Sequence, residues 1–159
     1  MIFPKWVIFN DLESWRAREA GAGPWVVTNG CFDLLHAGHV RYLQHARSLG
    51  NRLLVGINDD DGVRQLKGEG RPLNPAEDRA EVLAALACVD AVCVFPGTKA
   101  TAFLKAARPD IYAKGGDYTL DTLDPEERAV LTGAGSRIEL LDLVAGRSTT
   151  ALVNRMKKS

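Results

Sequence analysis

The segment from Trp25 to Gly50 constrains the fold of this chain more than any other part of the sequence. It begins as an apolar strand at residues 25–27, breaks at Asn29-Gly30, and takes on a helical pattern from about Ala37. Apolar residues then recur at every third position, which is typical of a helix that packs one face against a core, and a glycine ends the pattern. The segment therefore predicts a strand–loop–helix unit. Its apolar helical positions are Val40, Leu43, Ala46 and Leu49.

Apolar segments of strand length alternate with helical patterns along the rest of the chain. This alternation predicts a parallel sheet with right-handed crossovers and helices on both faces. We therefore expect an α/β fold of the Rossmann-like, three-layer α/β/α type with a five-stranded parallel sheet. A single domain at residues 1–159 would have an N-terminal helical extension at 1–24 and a core at 25–156. The five predicted strands are residues 25–27, 52–57, 90–95, 110–113 and 137–141.

Charge and composition exclude several classes of function. The 20 Lys and Arg residues balance 20 Asp and Glu residues, so no net field favours binding to nucleic acid or to an acidic membrane. Apolar residues make up 46% of the chain, as in ordinary globular proteins, and no apolar run approaches the length of a membrane span. The N-terminus lacks a signal-peptide pattern. We therefore expect a cytoplasmic protein with neither nucleic acid nor membrane as a partner.

The cysteines do not indicate a disulfide or a metal site. Their number, 3, is odd, and we expect them to be reduced in a cytoplasmic protein. Cys31 lies near His36 and His39 in sequence, but this spacing fits no common zinc pattern and no fourth ligand is nearby. We therefore expect no metal site built from protein side chains.

Polar and glycine-rich loops follow the predicted strands. Ligands of parallel α/β sheets bind beyond the carboxyl ends of the strands, so we expect these loops to form one site. Residues 63–72 are polar and include two glycines, which predicts a mobile loop, and the acidic run at residues 59–61 is expected to be a solvated turn. The loops that follow the strands are residues 29–39, 58–71, 96–99, 114–118 and 144–150.

Two segments lie at predicted helix starts, where unpaired backbone N–H groups favour anions. His36 and His39 are one helical turn apart, and Gly38 between them would let a phosphate approach the backbone. The alternative is a pair of histidines that only cap a helix. Residues 148–150, Ser-Thr-Thr, offer hydroxyl and N–H groups to an anion, or they form a simple N-cap.

Two cationic residues are further candidates for the site. Lys114 precedes two glycines and could place its ammonium group beside a phosphate, although a plain turn at a strand end is the alternative. Arg79 lies on the same helical stripe as Val82 and Leu83, so it points inward, where a guanidinium needs an anionic partner. The alternative is that its head group extends past the apolar stripe to solvent.

None of these residues suits covalent catalysis. Ser148 has no neighbouring base in sequence, Cys31 follows an apolar strand, and neither a P-loop nor a GxGxxG pattern is present. The remaining groups are histidines, cations and hydroxyls arranged to surround phosphates. They suit phosphoryl or nucleotidyl transfer by positioning and by charge stabilisation.

Two segments carry a family resemblance. Residues 30–39, GCFDLLHAGH, resemble the GxFDxxHxGH signature of the nucleotidyltransferase superfamily that contains the cytidylyltransferases, and residues 148–150 resemble its second signature. More narrowly, residues 66–86 and the KGGDY sequence at 114–118 are similar to the adenylyltransferases of ADP-heptose synthesis. Those enzymes occur as free-standing proteins and as the C-terminal domain of a bifunctional kinase/adenylyltransferase. The resemblance covers residues 26–156.

The resemblance implies a reaction and a set of site residues. ATP and D-glycero-β-D-manno-heptose 1-phosphate would give ADP-heptose, a lipopolysaccharide core precursor, and pyrophosphate. Mg²⁺ would arrive with ATP, and the protein would be a homodimer. The implied catalytic residues are His36, His39, Lys67 and Lys114. The implied nucleotide-binding residues are Asn29, Gly30, Cys31, Phe32, Asp33, His36, Gly38, His39, Arg79, Gly116, Asp117, Ser148, Thr149 and Thr150.

One departure from related families bears on the nucleotide. Glycerol-3-phosphate cytidylyltransferases carry Arg-Thr-Glu-Gly-Ile before Ser-Thr-Thr, whereas residues 143–147 here are Leu-Val-Ala-Gly-Arg. Together with KGGDY, this difference favours adenine over cytosine. Two alternatives stay open: a cytidylyltransferase that acts on a polyol or amino-alcohol phosphate, and a non-catalytic nucleotide-binding module.

Overall fold

The protein is described by a computed structural model that covers residues 4–116, 118–142 and 148–158. Its strands are β1 (Trp6–Val7), β2 (Trp25–Gly30), β3 (Arg52–Asn58), β4 (Ala91–Phe95), β5 (Ile111–Gly115) and β6 (Arg137–Leu141). They form one six-stranded sheet in the order β1-β4-β3-β2-β5-β6, and each neighbouring pair is parallel.

Helices connect these strands. They are α1 (Leu12–Arg18), α2 (Ala37–Ser48), α3 (Asp60–Lys67), α4 (Ala76–Ala84), α5 (Thr101–Ala107), α6 (Pro125–Gly133) and α7 (Thr149–Met156). Within the part of the chain that the structure describes, none of these helices is long and apolar enough to cross a membrane.

The expectation of five strands is wrong, because a sixth strand forms before the core. Trp6 pairs with Val92 and Val7 pairs with Cys93, so β1 adds to the edge of the sheet beside β4. The N–H of Val92 also donates to the carbonyl of Lys5 at 2.8 Å. A strand of two residues is too short to show an alternating pattern, and the sequence therefore gave no sign of it.

Successive residues of the central strands face opposite layers. Val26 of β2 packs in one core with residues of α2 and α4, whereas Val27 packs in the other with residues of α1, α5 and α6. Leu53 and Leu54 of β3 divide between the two cores in the same way. Because β3 is covered on both faces, residues 53–58 are all buried. The predicted three-layer α/β/α arrangement is confirmed.

The predicted mobile loop at residues 63–72 and the predicted solvated turn at 59–61 are both wrong in part. Asp59 caps α3, since its Oδ1 accepts the N–H of Gly62 at 2.7 Å and that of Gly97 at 3.1 Å. A Cβ on Gly62 would lie 2.1 Å from the carbonyl oxygen of Gly97. Glycine at this position therefore allows the first turn of α3 to pack against the loop after β4.

The start of α4 also differs from expectation. The sequence Asn74-Pro75-Ala76-Glu77 predicts an Asn cap at the start of this helix. In the structure the cap position is Pro75, and no side chain caps the helix. The side-chain amide of Asn74 donates instead to the carbonyl of Asp33, at 2.9 Å. This bond joins the segment before α4 to the loop after β2.

Candidate active site

A pocket of about 460 Å³ opens at the carboxyl ends of the central strands. Its walls come from the loops after β2, β3, β4 and β5 and from the start of α7, as the sequence predicts for a parallel sheet. The candidate residues that line it are Asn29, Gly30, Cys31, Phe32, Asp33, His39, Lys67, Lys114, Thr149 and Thr150.

The histidine pair forms the start of α2. The Nδ1 atom of His36 accepts the N–H of Gly38 at 3.1 Å, and the Nδ1 atom of His39 accepts the N–H of His36 at 3.3 Å. The two rings are stacked with their centroids 3.9 Å apart. Because both Nδ1 atoms accept, the neutral rings carry their protons on Nε2. Capping of the helix thus fixes the tautomer, and His39 also lines the pocket.

His39 is neutral at physiological pH. Burial, and to a smaller extent the neighbouring His36, lower the pKa of His39 from its ordinary value of 6.5 to about 4. A neutral imidazole with its proton on Nε2 is a hydrogen-bond donor that adds no charge to the pocket. A phosphate bound beside it would raise the pKa again.

The ring of Phe32 packs beside the imidazole of His39. Phe32 has a backbone φ of 46°, which is uncommon for a bulky residue, and its ring lies 5.4 Å from that of His39. A Cβ on Gly30 would come within 2.9 Å of the Phe32 ring. Glycine at position 30 therefore leaves the space that the Phe32 ring occupies over the end of β2.

Asp33 is bonded within the chain. Its Oδ2 accepts Arg71 Nε at 2.6 Å, and its Oδ1 accepts the backbone N–H groups of Leu73 at 2.9 Å and Asn74 at 3.0 Å. Burial by itself would raise the pKa of Asp33, but these N–H groups and the guanidinium outweigh it and hold that pKa below its ordinary value. The carboxylate therefore stays ionised and joins the loop after β2 to the segment before α4.

Arg79 is buried as the sequence predicts, and its donors are occupied by the protein itself. Its Nε donates to the carbonyl of Asn74 at 3.0 Å, and its Nη1 donates to that of Cys31 at 2.7 Å. Its Nη2 contacts the carbonyl of Asn58 at 2.9 Å and Asp60 Oδ1 at 2.8 Å. The side chain is 0% exposed, so it does not extend to solvent. The anionic partner expected from the sequence is thus Asp60.

Three cations lie in the pocket wall: Lys67, Arg71 and Lys114. Lys114 has its Nζ 4.9 Å from the centroid of the Tyr118 ring, in a cation–π contact. Burial lowers the pKa of Lys114, and the nearby carboxylate of Glu127 opposes that shift. An incoming anion would favour the charged ammonium further.

The start of α7, near the C-terminal end of the sequence, forms another part of the pocket wall. Thr149 Oγ1 donates to the carbonyl of Leu34 at 3.1 Å, which ties α7 to the loop after β2. Ser148 caps the helix, since its Oγ accepts the N–H of Ala151 at 3.0 Å. Thr149 and Thr150 line the pocket.

Some candidate residues lie outside this lining. His36, Gly38, Arg79, Gly116 and Ser148 are beside the pocket but do not form its wall. Asp117 and residues 143–147, where the sequence departs from the cytidylyltransferases, lie outside the described residues. Wall residues that sequence reasoning did not assign are Tyr42, Asn58, Leu66, Arg71, Thr98, Gly115, Tyr118 and Glu127.

Signals for a few of the missed residues existed in the sequence. Tyr42 is three positions after His39 on the same helix, so it faces the same side. Arg71 and Tyr118 lie in segments already singled out as loops. Glu127 gave no signal, because its position in α6 reaches the pocket only through the tertiary packing of α6 beside α5, where its Oε1 accepts the N–H of Ala100 at 2.8 Å.

The chemistry of the wall suits phosphate groups. It combines cations, a neutral imidazole and hydroxyl groups near two helix starts. Burial raises the pKa of Cys31, so its thiol is protonated and is not a nucleophile. Among the described residues, no cluster of three or more His, Cys, Asp or Glu side chains is placed to hold a metal ion.

Comparison with known proteins adds a family and several relatives. A family model described as "Cytidylyltransferase-like" matches residues 27–152. The bifunctional protein HldE of Mesorhizobium japonicum is 54% identical over 130 residues, which are 82% of this chain and 26% of that protein. HldE of Geobacter sulfurreducens is 49% identical over 144 residues, which are 90% of this chain and 29% of that protein. The chain thus spans about a quarter of the length of the curated relatives it matches.

Solved structures share the fold. The lipopolysaccharide core biosynthesis protein of Thermoplasma volcanium superposes with a TM-score of 0.62 at 24% identity, covering 76% of this chain and 95% of that one. Thermotoga maritima TmcAL, solved with α-thio ATP, gives a TM-score of 0.64 at 15% identity and covers 84% of this chain and 50% of its own.

Proposed function

Since this chain belongs to the cytidylyltransferase-like family, we propose that it is a nucleotidyltransferase that transfers AMP from ATP to D-glycero-β-D-manno-heptose 1-phosphate. The products are ADP-heptose and pyrophosphate. The observation that carries the proposal is the pocket, in which a neutral histidine, cations and hydroxyl groups converge at the carboxyl ends of the strands. The segments that resemble adenylyltransferases of ADP-heptose synthesis, 66–86 and 114–118, contribute several of its wall residues.

The relatives support this choice of acceptor. The bifunctional proteins HldE are about 50% identical to this chain over most of its length. They match over only about a quarter of their own length, as expected for one domain of a protein with two activities. The resemblance assigns the adenylyltransferase activity to the C-terminal domain of such proteins, and the proposal carries over that activity alone.

The reaction is a direct displacement at phosphorus. A phosphate oxygen of the sugar phosphate attacks the α-phosphorus of ATP in line, the bond from the α-phosphorus to the bridging oxygen breaks, and pyrophosphate leaves with that electron pair. In this proposal the Nε2–H group of His39 donates a hydrogen bond to an oxygen of the α-phosphate, on which negative charge develops in the transition state. The backbone N–H of His36 donates to Nδ1 of His39 and so fixes the His39 tautomer, and the two imidazole rings are stacked.

The remaining groups bind and orient phosphates. Lys67 and Lys114 contribute charge from the wall, and the hydroxyl and N–H groups of residues 148–150 bind the β- and γ-phosphates at the start of α7. Asn29 is proposed to bind the nucleotide, and Gly116 and Asp117 are proposed to lie near the nucleotide or the sugar phosphate. The wall is richer in cations than in carboxylates, so it does not suit a Mg²⁺ ion held by protein side chains. Mg²⁺ would arrive with the nucleotide and would supply neutralisation of phosphate charge.

Release of pyrophosphate tests the proposal. The purified protein is incubated with Mg²⁺, heptose 1-phosphate and each nucleoside triphosphate in turn. Release that requires both ATP and the sugar phosphate supports an adenylyltransferase. Release with CTP and a polyol phosphate would favour the cytidylyltransferase, which the family description alone supports. Binding of ATP without release for any phosphorylated acceptor would favour a non-catalytic module.

We also propose a homodimer in the cytoplasm. The dimer rests on the resemblance, since members of that superfamily commonly dimerise, and the location rests on the cytoplasmic supply of ATP and sugar phosphates. Light scattering coupled to size-exclusion chromatography tests the dimer: a mass near twice the 17.3 kDa of the chain supports it, and a mass equal to that of the chain contradicts it.

A further inference from the structure

Arg71 and Asp33 form an ion pair at the edge of the pocket, in which the carboxylate is buried and the guanidinium is partly buried. Their closest atoms, Arg71 Nε and Asp33 Oδ2, are 2.6 Å apart, and the side chains are 18% and 1% exposed. Both residues also line the pocket wall. We propose that Arg71 is a further residue that contacts the phosphates of the nucleotide, and that Asp33 is the residue that positions it. This inference rests on the proposed function and adds a catalytic residue and a positioning residue to it.

The donors of Arg71 are only partly used. A guanidinium has five N–H groups in a planar fork, and Arg71 uses Nε on Asp33. Across the described ranges, its Nη1 and Nη2 have no hydrogen bond to the protein, while the residue stands in the wall of the pocket. A guanidinium that is held in place through Nε, with Nη1 and Nη2 available, is suited to bidentate binding of phosphate.

Arg79 provides the contrast. It also has a carboxylate partner, but all three of its guanidinium nitrogens donate to the protein and its side chain is 0% exposed. It has no place in the pocket wall. Of these two arginines, Arg71 alone combines unused donors with access to the pocket.

Asp33 is placed to orient Arg71 and is poorly placed to bind the nucleotide itself. Its carboxylate oxygens already accept three N–H groups, from Arg71, Leu73 and Asn74. An unpaired carboxylate in the wall would repel a triphosphate, whereas the ion pair neutralises that charge. The bonds to the backbone of residues 73 and 74 also fix the loop that carries Arg71. Asp33 therefore acts through the arginine.

A double-mutant cycle tests both parts of the inference. Asp33→Asn, Arg71→Ala and the double variant are compared with the wild type in kcat and KM for ATP and in Kd for ATP by calorimetry. Loss of one preorganised charged donor should lower kcat/KM by about a hundredfold in Arg71→Ala. Asp33→Asn should lower it by a smaller factor, and the double variant should be no worse than Arg71→Ala, because Asp33 has nothing left to position.

Two further variants serve as controls. Arg71→Lys keeps the charge without the fork and leaves the bonds from Asp33 to the backbone in place, so activity should recover only in part. The pair Arg64 and Asp61 on α3 is an exposed ion pair outside the pocket, and Arg64→Ala should leave turnover and ATP affinity unchanged. Melting curves of every variant confirm that each is folded.

The outcomes separate the inference from the proposed function. Turnover of the wild type reports on the proposed function, whereas the ratio of variant to wild type, in turnover or in ATP affinity, reports on the arginine. Wild-type kcat/KM and Kd in Arg71→Ala would overturn the contact. A loss from Asp33→Asn that is equally large with and without Arg71 would overturn the positioning role. If Asp33→Asn fails to fold, the comparison of Arg71→Ala with Arg71→Lys still decides the contact.

Discussion

Replacement of Arg79 by alanine should destabilise the protein far more than it weakens ATP binding. The side chain is fully buried and makes four hydrogen bonds, three to carbonyl groups and one to Asp60. These bonds hold together the loop after β2, the end of β3, the first turn of α3 and the segment before α4. Truncation leaves three carbonyl oxygens and a carboxylate without their donor.

The magnitude follows from burial and from the partner. Hydrogen bonds to charged groups contribute about 1.5–3 kcal/mol each, but four such values overstate the loss, because water can reach some of the freed acceptors. Asp60 is 40% exposed, so its carboxylate regains solvent easily. The main cost is therefore the three carbonyl oxygens that lose their donor, at about 1–3 kcal/mol for each one that stays buried, and we expect about 4 kcal/mol for Arg79→Ala. For a domain of this size, that corresponds to a fall in Tm of about 8–16 °C.

Urea titration and calorimetry measure the two effects. Equilibrium unfolding should show a lower midpoint with an unchanged slope, and the folded variant should bind ATP within about threefold of the wild-type Kd, a difference below 1 kcal/mol. Arg64→Ala is the matched control, since an exposed arginine should change the free energy of unfolding by no more than about 0.5 kcal/mol. A normal midpoint together with strongly weakened ATP binding would refute this reasoning and return Arg79 to the nucleotide site.

Three other variants and conditions test the same account. His39→Ala should lower kcat by about a hundredfold while ATP affinity is largely kept, because one preorganised donor to the transition state is lost; near-normal turnover would contradict its role. The pKa of His39 is lowered to about 4, mainly by burial, so between about pH 6.5 and pH 4 the unfolded chain binds a proton that the folded chain does not. The free energy of unfolding should therefore fall as the pH is lowered through that range. Denaturant titrations across that range should show a flatter dependence in His39→Gln, and an equal slope would exclude His39 as its source. Gly62→Ala should destabilise the fold, since its Cβ would lie 2.1 Å from the carbonyl oxygen of Gly97, whereas Gly133→Ala meets nothing within 4 Å and should not; equal melting temperatures would contradict the close packing of α3.

Features that depend on local sequence could be predicted. The strand–loop–helix unit appeared where the apolar pattern changed period, and α2 spans Ala37–Ser48 as that change indicated. The site was expected at the carboxyl ends of the strands, and the pocket lies there. The inward direction of Arg79 also followed from its place on the apolar stripe of its helix.

Features that depend on contacts between distant segments could not be predicted. Arg71 and Asp33 are 38 positions apart, and nothing local to either residue indicates their pairing. The helix α3 was missed because its stability comes from the cap at Asp59 and from packing against Gly97, while its own residues are polar and glycine-containing. The strand β1 is two residues long and forms only because the edge of β4 is available.

The central claim is that this pocket joins the AMP group of ATP to a sugar 1-phosphate. Phosphorus NMR of the wild-type protein with Mg²⁺, ATP and D-glycero-β-D-manno-heptose 1-phosphate tests it most directly, because substrates and products are observed together. The account predicts that the signals of ATP and the sugar phosphate decrease together, while those of pyrophosphate and of a sugar-linked diphosphate increase in equal amounts. Unchanged ATP, or cleavage of ATP to ADP and phosphate that does not depend on the sugar phosphate, would contradict it.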